Sequence, residues 1–158
     1  MVLIRTITLL VPTLLIAGGP VPAGQATKQE AIQQELKLLE GRWRLISLET
    51  DGEQISVSRI QRAEPEIFIQ GTTLKDYVRG KQTRETDFSI DPTRSPKTLD
   101  AKIVEGEPVG ATSKAIYDLA GDRLRICWIV YGVRRERPSS FATFVDSGLL
   151  LEEYERIK

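Results

Sequence analysis

The sequence predicts an all-β protein, a single antiparallel barrel of about eight strands preceded by one helix. Apolar and polar residues alternate with a period of two through most of the chain after Gly41, a pattern typical of strands with one buried face. Turn-forming pairs such as Asp51-Gly52 and Gly121-Asp122 separate these runs at short intervals. The chain has 158 residues, 41% of them hydrophobic, which indicates one globular domain.

The first segment, residues 1–26, is predicted to be a secretory signal peptide. Arg5 precedes an apolar run over residues 7–17, and small residues allow cleavage after Ala26 or after Ala23. The run is shorter than the roughly 20 residues that span a bilayer, although an uncleaved anchor is the alternative. We therefore expect a domain over residues 27–158, exported to the periplasm or outside the cell, without stable membrane insertion.

The domain is predicted to begin with an amphipathic helix over residues 28–40. Thr27 and Glu30 have the spacing of a capping box, in which each side chain pairs with a free backbone N–H of the first turn. Apolar residues then recur at helical spacing until Gly41 ends the helix.

The barrel is predicted over residues 41–158, and no second helix is expected in it. The predicted strands cover residues 42–50, 66–70, 73–79, 83–91, 98–105, 113–120, 123–131 and 148–157. Two connections, residues 53–65 and 132–140, are longer than the others, and we expect them at the rim of an open barrel end.

Composition excludes several classes of function. The chain has no histidine and a single cysteine, Cys127, so zinc sites, Ser-His-Asp machinery and an internal disulfide are not expected. Lys plus Arg and Asp plus Glu number 22 each, which leaves no excess positive charge for nucleic acid. We expect no metal, no cofactor, no catalytic residues and no nucleic-acid partner, hence a protein that is not an enzyme.

Four ordered sequence blocks resemble an uncharacterised lipocalin-like family of exported proteins from planctomycete-type bacteria. They are the G-x-W run that begins at Gly41, D-P-x-x-x-P-K over residues 91–97, I-Y-x-L-x-G-D-x-L-x-I-C over residues 116–127 and R-P-x-x-F over residues 137–141. The resemblance implies a lipocalin-like barrel and an exported setting, and it implies no reaction. It further implies structural roles for Gly41, Trp43 and Arg156, with Trp43 closing one barrel end beneath the Arg156 guanidinium.

The strand over residues 123–131 shows which face of the barrel wall is expected inside. Leu124, Ile126 and Trp128 share one face, which we assign to the interior, and Cys127 lies on the other. The interior residues either fill a dry core or line a cavity for a small hydrophobic or amphipathic ligand. The candidate ligand-binding residues are Ile67, Ile69, Phe88, Tyr117, Leu119, Ile126 and Trp128.

Four alternatives to ligand binding in the barrel interior remain open. An envelope protein-interaction module would have a side-chain-filled barrel and use the two longer loops, although the sequence names no protein partner. Carboxylate pairs, Glu85 with Asp87 and Glu153 with Glu155, allow acid–base chemistry but are more typical of a solvated strand face. The Arg134, Arg135 and Arg137 cluster allows anion binding, and Cys127 allows thiol chemistry; a solvated loop and simple packing are the plainer interpretations.

Overall fold

The computed structural model of the protein describes residues 23–131 and 136–158. The predicted signal peptide lies outside the described residues up to residue 22, and so do Arg134 and Arg135. The elements in chain order are helix α1 (Ala23–Leu39), strands β1 (Gly41–Thr50) and β2 (Glu53–Gln54), helix α2 (Val57–Ala63), and strands β3 (Pro65–Gln70), β4 (Thr73–Val78), β5 (Lys81–Asp91), β6 (Lys97–Glu105), β7 (Thr112–Ala120), β8 (Arg123–Ile129) and β9 (Leu149–Arg156).

The strands form one antiparallel sheet that closes on itself. Each strand from β3 to β9 pairs with the next, and β1 pairs with β3 on one side and β9 on the other. The closing register runs from Trp43 opposite Arg156 to Thr50 opposite Leu150. The predicted all-β barrel of eight strands is therefore confirmed, with strand ends that differ from the predicted ones by at most two residues.

Helix α1 lies across the barrel end at which β1 starts and β9 finishes. Its Leu36 and Leu39 are buried in the main core, while Lys28 reaches Asp91 at the end of β5, with Nζ 2.8 Å from Oδ2. The helix begins at Ala23, earlier than the predicted residue 28. Thr27 therefore lies within the helix rather than at its predicted N-terminal cap.

Helix α2 corrects the prediction that no second helix exists. The segment over residues 53–65 contains β2, which pairs with the last two residues of β1, and then the short helix α2. Burial of Ile60 fixes this helix against the barrel, and the left-handed backbone of Glu64 ends it. The prediction missed it because seven residues are too few for a helical period to stand out from a loop.

Alternation along the strands divides apolar side chains between the barrel interior and a smaller outer cluster. Leu124, Ile126 and Trp128 of β8 point into the main core, as predicted. Cys127 and Ile129 point outward, where the chain between β8 and β9 covers them with Phe141. Among the described residues, no helix has both the length and the apolar character needed to cross a membrane.

Candidate functional site

The barrel interior holds a partly open cavity at the end opposite α1. Its volume is about 220 Å³. Its walls come from five strands and from the two residues that follow β8. The lining residues are Ile67, Leu74, Asp76, Arg84, Thr86, Trp128, Ile129, Val130, Tyr131, Leu150, Glu152 and Tyr154. Apolar walls with a few converging polar groups are typical of small-molecule sites.

Glu152 is the central polar group of this cavity. Its Oε2 accepts hydrogen bonds from the Trp128 indole Nε1 at 2.8 Å and from the Tyr154 hydroxyl at 2.9 Å. Both donors are neutral, and within the described part of the chain no donor reaches Oε1. Protein surrounds the carboxyl group although the cavity gives it some access to water, and this burial raises its pKa to about 7.

Asp76 and Arg84 form the other charged part of the wall. Arg84 Nε lies 3.9 Å from Asp76 Oδ2, at the outer limit of an ion pair. Desolvation outweighs the attraction of the guanidinium, so the pKa of Asp76 is raised to about 6. The Arg84 guanidinium also lies 5.3 Å from the centre of the Tyr131 ring.

Thr86 places a hydroxyl in the same wall with its hydrogen-bonding capacity unused. Its side chain is only 1% exposed, and Oγ1 has no hydrogen-bond partner in the described structure. The Tyr131 phenol lies near it, without a hydrogen bond of good geometry between them. A buried hydroxyl without a partner costs free energy, which a bound polar group would recover.

Tyr131 lies in this wall because β8 is shorter than predicted. The predicted strand included Tyr131 on the outward face with Cys127, whereas β8 ends at Ile129. Alternation no longer applies after that residue, and Tyr131 lines the cavity instead.

The predicted ligand-binding residues divide into two groups. Ile67 and Trp128 line the cavity. The other five belong to the packed interior rather than to the cavity wall: Ile69, Phe88, Tyr117 and Ile126 are buried, and Leu119 packs against them. Alternation predicts which face of a strand points inward, but not which level of the barrel is left empty.

At the closed end the structure brings Gly41, Trp43 and Arg156 together. Trp43 is fully buried and donates from Nε1 to the Leu39 carbonyl oxygen at 2.9 Å. The Arg156 Cζ lies 4.0 Å from the centre of the Trp43 ring. Gly41 has φ +124°, and a Cβ there would lie 2.9 Å from the Arg156 guanidinium, so this close approach favours glycine.

The acidic pairs identified in the sequence lie on outward strand faces. Glu85 forms an ion pair with Lys75 at 3.1 Å, and Glu155 one with Arg44 at 3.5 Å. The carboxylates that share an interior space are instead Asp76 and Glu152. The sequence did contain an indication for Glu152. It lies four residues before Arg156, on the same face of the strand, and Arg156 is predicted to lie over the Trp43 ring at the closed barrel end.

The long connection after β8 has an observed structural role. Arg137 donates to the carbonyl oxygens of Leu99 at 2.8 Å and Ala115 at 2.7 Å, and to Asp100 at 2.6 Å, so it ties the loop to β6 and β7. Further along, Phe144 and Val145 are 61% and 76% exposed.

A scan against models of known protein families and a search of curated proteins both found no match for this chain.

Proposed function

We propose that the protein is a small exported binding protein that holds one small amphipathic molecule in the cavity at the open end of the barrel. The observation that carries this proposal is the cavity itself, because it joins apolar walls to a polar cluster that side chains leave incompletely paired. Aromatic side chains with a polar edge, here Trp128 and Tyr154, suit such mixed surfaces.

The size of the cavity limits the ligand. An apolar cavity of about 150 Å³ holds a molecule of the size of benzene. Pockets for drug-sized ligands span about 300–1,000 Å³, and the cavity of about 220 Å³ lies below that range. A single substituted ring or a short chain fits, whereas a long fatty acid does not fit inside. The proposed ligand is thus a small amphipathic molecule, one of the two kinds of ligand that the sequence predicts.

Intrinsic fluorescence tests the proposal because the two tryptophans lie at opposite barrel ends. Trp128 lines the cavity, whereas Trp43 is buried at the closed end. We expect small amphipathic ring compounds to change the emission saturably in the wild type and in Trp43→Phe, but not in Trp128→Phe. No saturable change with a broad panel of such compounds would contradict the proposal, and native mass spectrometry would reveal a co-purifying ligand.

Acid–base catalysis is a second candidate, favoured by the two carboxyl groups of raised pKa in one cavity. Such shifts are common in catalytic sites, although structural networks produce them as well. Nitrophenyl acetate, a single substituted ring, tests this candidate, since a carboxylate can act as general base for the attack of water on an ester. Turnover that Asp76→Asn and Glu152→Gln each abolish would support catalysis. Ligand binding without any turnover would contradict catalysis and agree with the binding function alone.

A further inference from the structure

The charges around the cavity do not balance. Among the described lining residues, Asp76 and Glu152 are acidic and Arg84 alone is basic, so the wall carries one excess negative charge when both acids are ionised. Arg84 is engaged by Asp76 and by the Tyr131 ring. Glu152, by contrast, accepts hydrogen bonds from two neutral donors and makes no ion pair in the described structure; the more distant Arg84 charge only partly offsets the cost of burying this carboxylate.

Building on the proposed function, we infer that the ligand is a small organic cation with a protonated amine on a compact apolar body. The ammonium would donate to Glu152, and its charge would replace the missing partner of that carboxylate. This assignment goes beyond binding in general, because it selects one charge class of ligand.

Thr86 supplies a second observation, independent of the acidic groups. Its hydroxyl oxygen is buried in the cavity wall without a hydrogen-bond partner, and a small rotation of the side chain toward the cavity would make it an acceptor for another ammonium proton. An ammonium has three protons to donate, so Glu152 and Thr86 together satisfy two of them.

The aromatic residues around the cavity suit the same occupant. Trp128, Tyr131 and Tyr154 line it together with apolar Leu74 and Leu150. Aromatic faces attract cations and also pack against an apolar body. An anionic ligand would have only Arg84 to pair with, and it would approach Asp76 and Glu152 against charge repulsion.

Three probes that share one ring and differ in head group test the charge class by isothermal titration calorimetry at pH 8. They are benzylamine, benzyl alcohol and benzoate. We expect benzylamine to bind at least about tenfold more tightly than benzyl alcohol, and benzoate to bind least, because a hydrogen bond between charged groups exceeds a neutral one by that order. Equal binding of amine and alcohol, or tighter binding of benzoate, would overturn the inference and leave the binding function intact. Absence of binding by all three would contradict both.

Glu152→Gln isolates the carboxylate that the inference invokes. The amide has nearly the shape of the carboxyl group, and we expect it to weaken benzylamine binding about tenfold or more while leaving benzyl alcohol within about twofold. Glu153→Gln is the matched control, since it removes the same charge from the neighbouring position on the outward face. Equal losses in the two variants would contradict a direct contact with Glu152.

The wild-type protein provides a measurement that does not depend on variants. The groups that face Glu152 are Tyr154 on its own strand, Trp128 and Tyr131 at β8, Asp76 on β4 and Arg84 on β5. Among Glu152 and these five groups, the two carboxyl groups, Asp76 and Glu152, titrate between pH 5 and pH 8. We therefore expect benzylamine affinity to rise at least fivefold across this range while benzyl alcohol affinity stays constant. A flat profile for benzylamine would overturn the inference.

Discussion

Glu152 accepts hydrogen bonds from an indole and a phenol, and both donors stabilise its ionised form. Burial nevertheless dominates, so its pKa lies near 7 rather than at the ordinary 4.5. At the scale of single residues, the carboxyl group therefore changes charge within the physiological pH range. This behaviour is what makes Glu152 both a cost to folding and a group suited to bind a cation.

The first prediction concerns the stability cost of that burial. Below pH 4.5 the Glu152 carboxyl group is mostly protonated in both the folded and the unfolded protein. As the pH rises toward 7, this group ionises first in the unfolded chain, so the free energy of unfolding falls. We expect urea unfolding to show that the free energy of unfolding of Glu152→Gln, relative to that of the wild type, increases by about 2–3 kcal/mol between pH 4.5 and pH 7.5. Asp76 adds a parallel loss in both proteins, because its pKa is also raised.

The control for that prediction is Glu153→Gln, which should keep the wild-type pH dependence. Asp91 does not interfere, because the Lys28 ammonium lowers its pKa and its titration falls below this pH window. A stability difference between Glu152→Gln and wild type that stays constant with pH would contradict burial of an ionisable carboxyl group.

Cys127 carries the second prediction. The side chain is fully buried on the outer face of β8 beneath the β8–β9 connection, and burial raises the pKa of its thiol to about 11. Since the thiolate is the reactive form, we expect no labelling by a thiol reagent at pH 8 without denaturant and complete labelling after unfolding. Labelling within minutes in the native protein would contradict the packing of that connection against the barrel.

At the scale of elements, the C-terminal end of α1 is joined to the barrel by an arginine at the end of β9. The Arg156 guanidinium donates to the carbonyl oxygens of Leu38 and Glu40 while it lies over the Trp43 ring. The last carbonyls of a helix have no partners within the helix, so this pairing satisfies the carbonyl of Leu38 and that of Glu40, the residue that follows α1. One side chain thus joins helix end, strand end and core.

The third prediction tests this fastening with Arg156→Lys. A lysine ammonium keeps the charge, but it cannot reach both carbonyls while covering the ring, so we expect a loss of about 1–3 kcal/mol in urea unfolding. Arg44→Lys is the matched control because Arg44 makes a surface ion pair with Glu155, and it should change stability by less than about 0.5 kcal/mol. Similar effects of the two substitutions would show that the guanidinium geometry has no special role.

The elements also show where sequence patterns sufficed and where they did not. Period-two alternation and turn pairs predicted every barrel strand, because each strand buries one face. They did not reveal α2, whose stability comes from Ile60 packing on the barrel rather than from local periodicity. They also placed Tyr131 outward, since pattern alone does not show that β8 ends at Ile129.

At the scale of the whole molecule, the two ends of the barrel differ in how fully side chains fill them. One end is closed by α1 and filled by Trp43, while the other retains a cavity of about 220 Å³. Alternation along the strands predicted that Ile67 and Trp128 point into the barrel. The position of the cavity along the barrel axis, however, depends on how all the interior side chains pack together. The sequence pattern did not reveal the interior carboxylates because charged residues of a strand are normally assigned to its solvated face, and Asp76 and Glu152 are exceptions to that rule.

The most direct test of the account follows the two tryptophan indole N–H signals in a ¹H–¹⁵N NMR spectrum during titration with benzylamine at pH 8. The Trp128 indole donates to Glu152 in the cavity, and the Trp43 indole donates to Leu39 at the closed end. We expect the Trp128 signal to shift saturably and the Trp43 signal to stay in place. If only the Trp43 signal shifts, the cavity at the open end is not the binding site. If both signals remain fixed with benzylamine and also with benzyl alcohol and benzoate, the same conclusion follows.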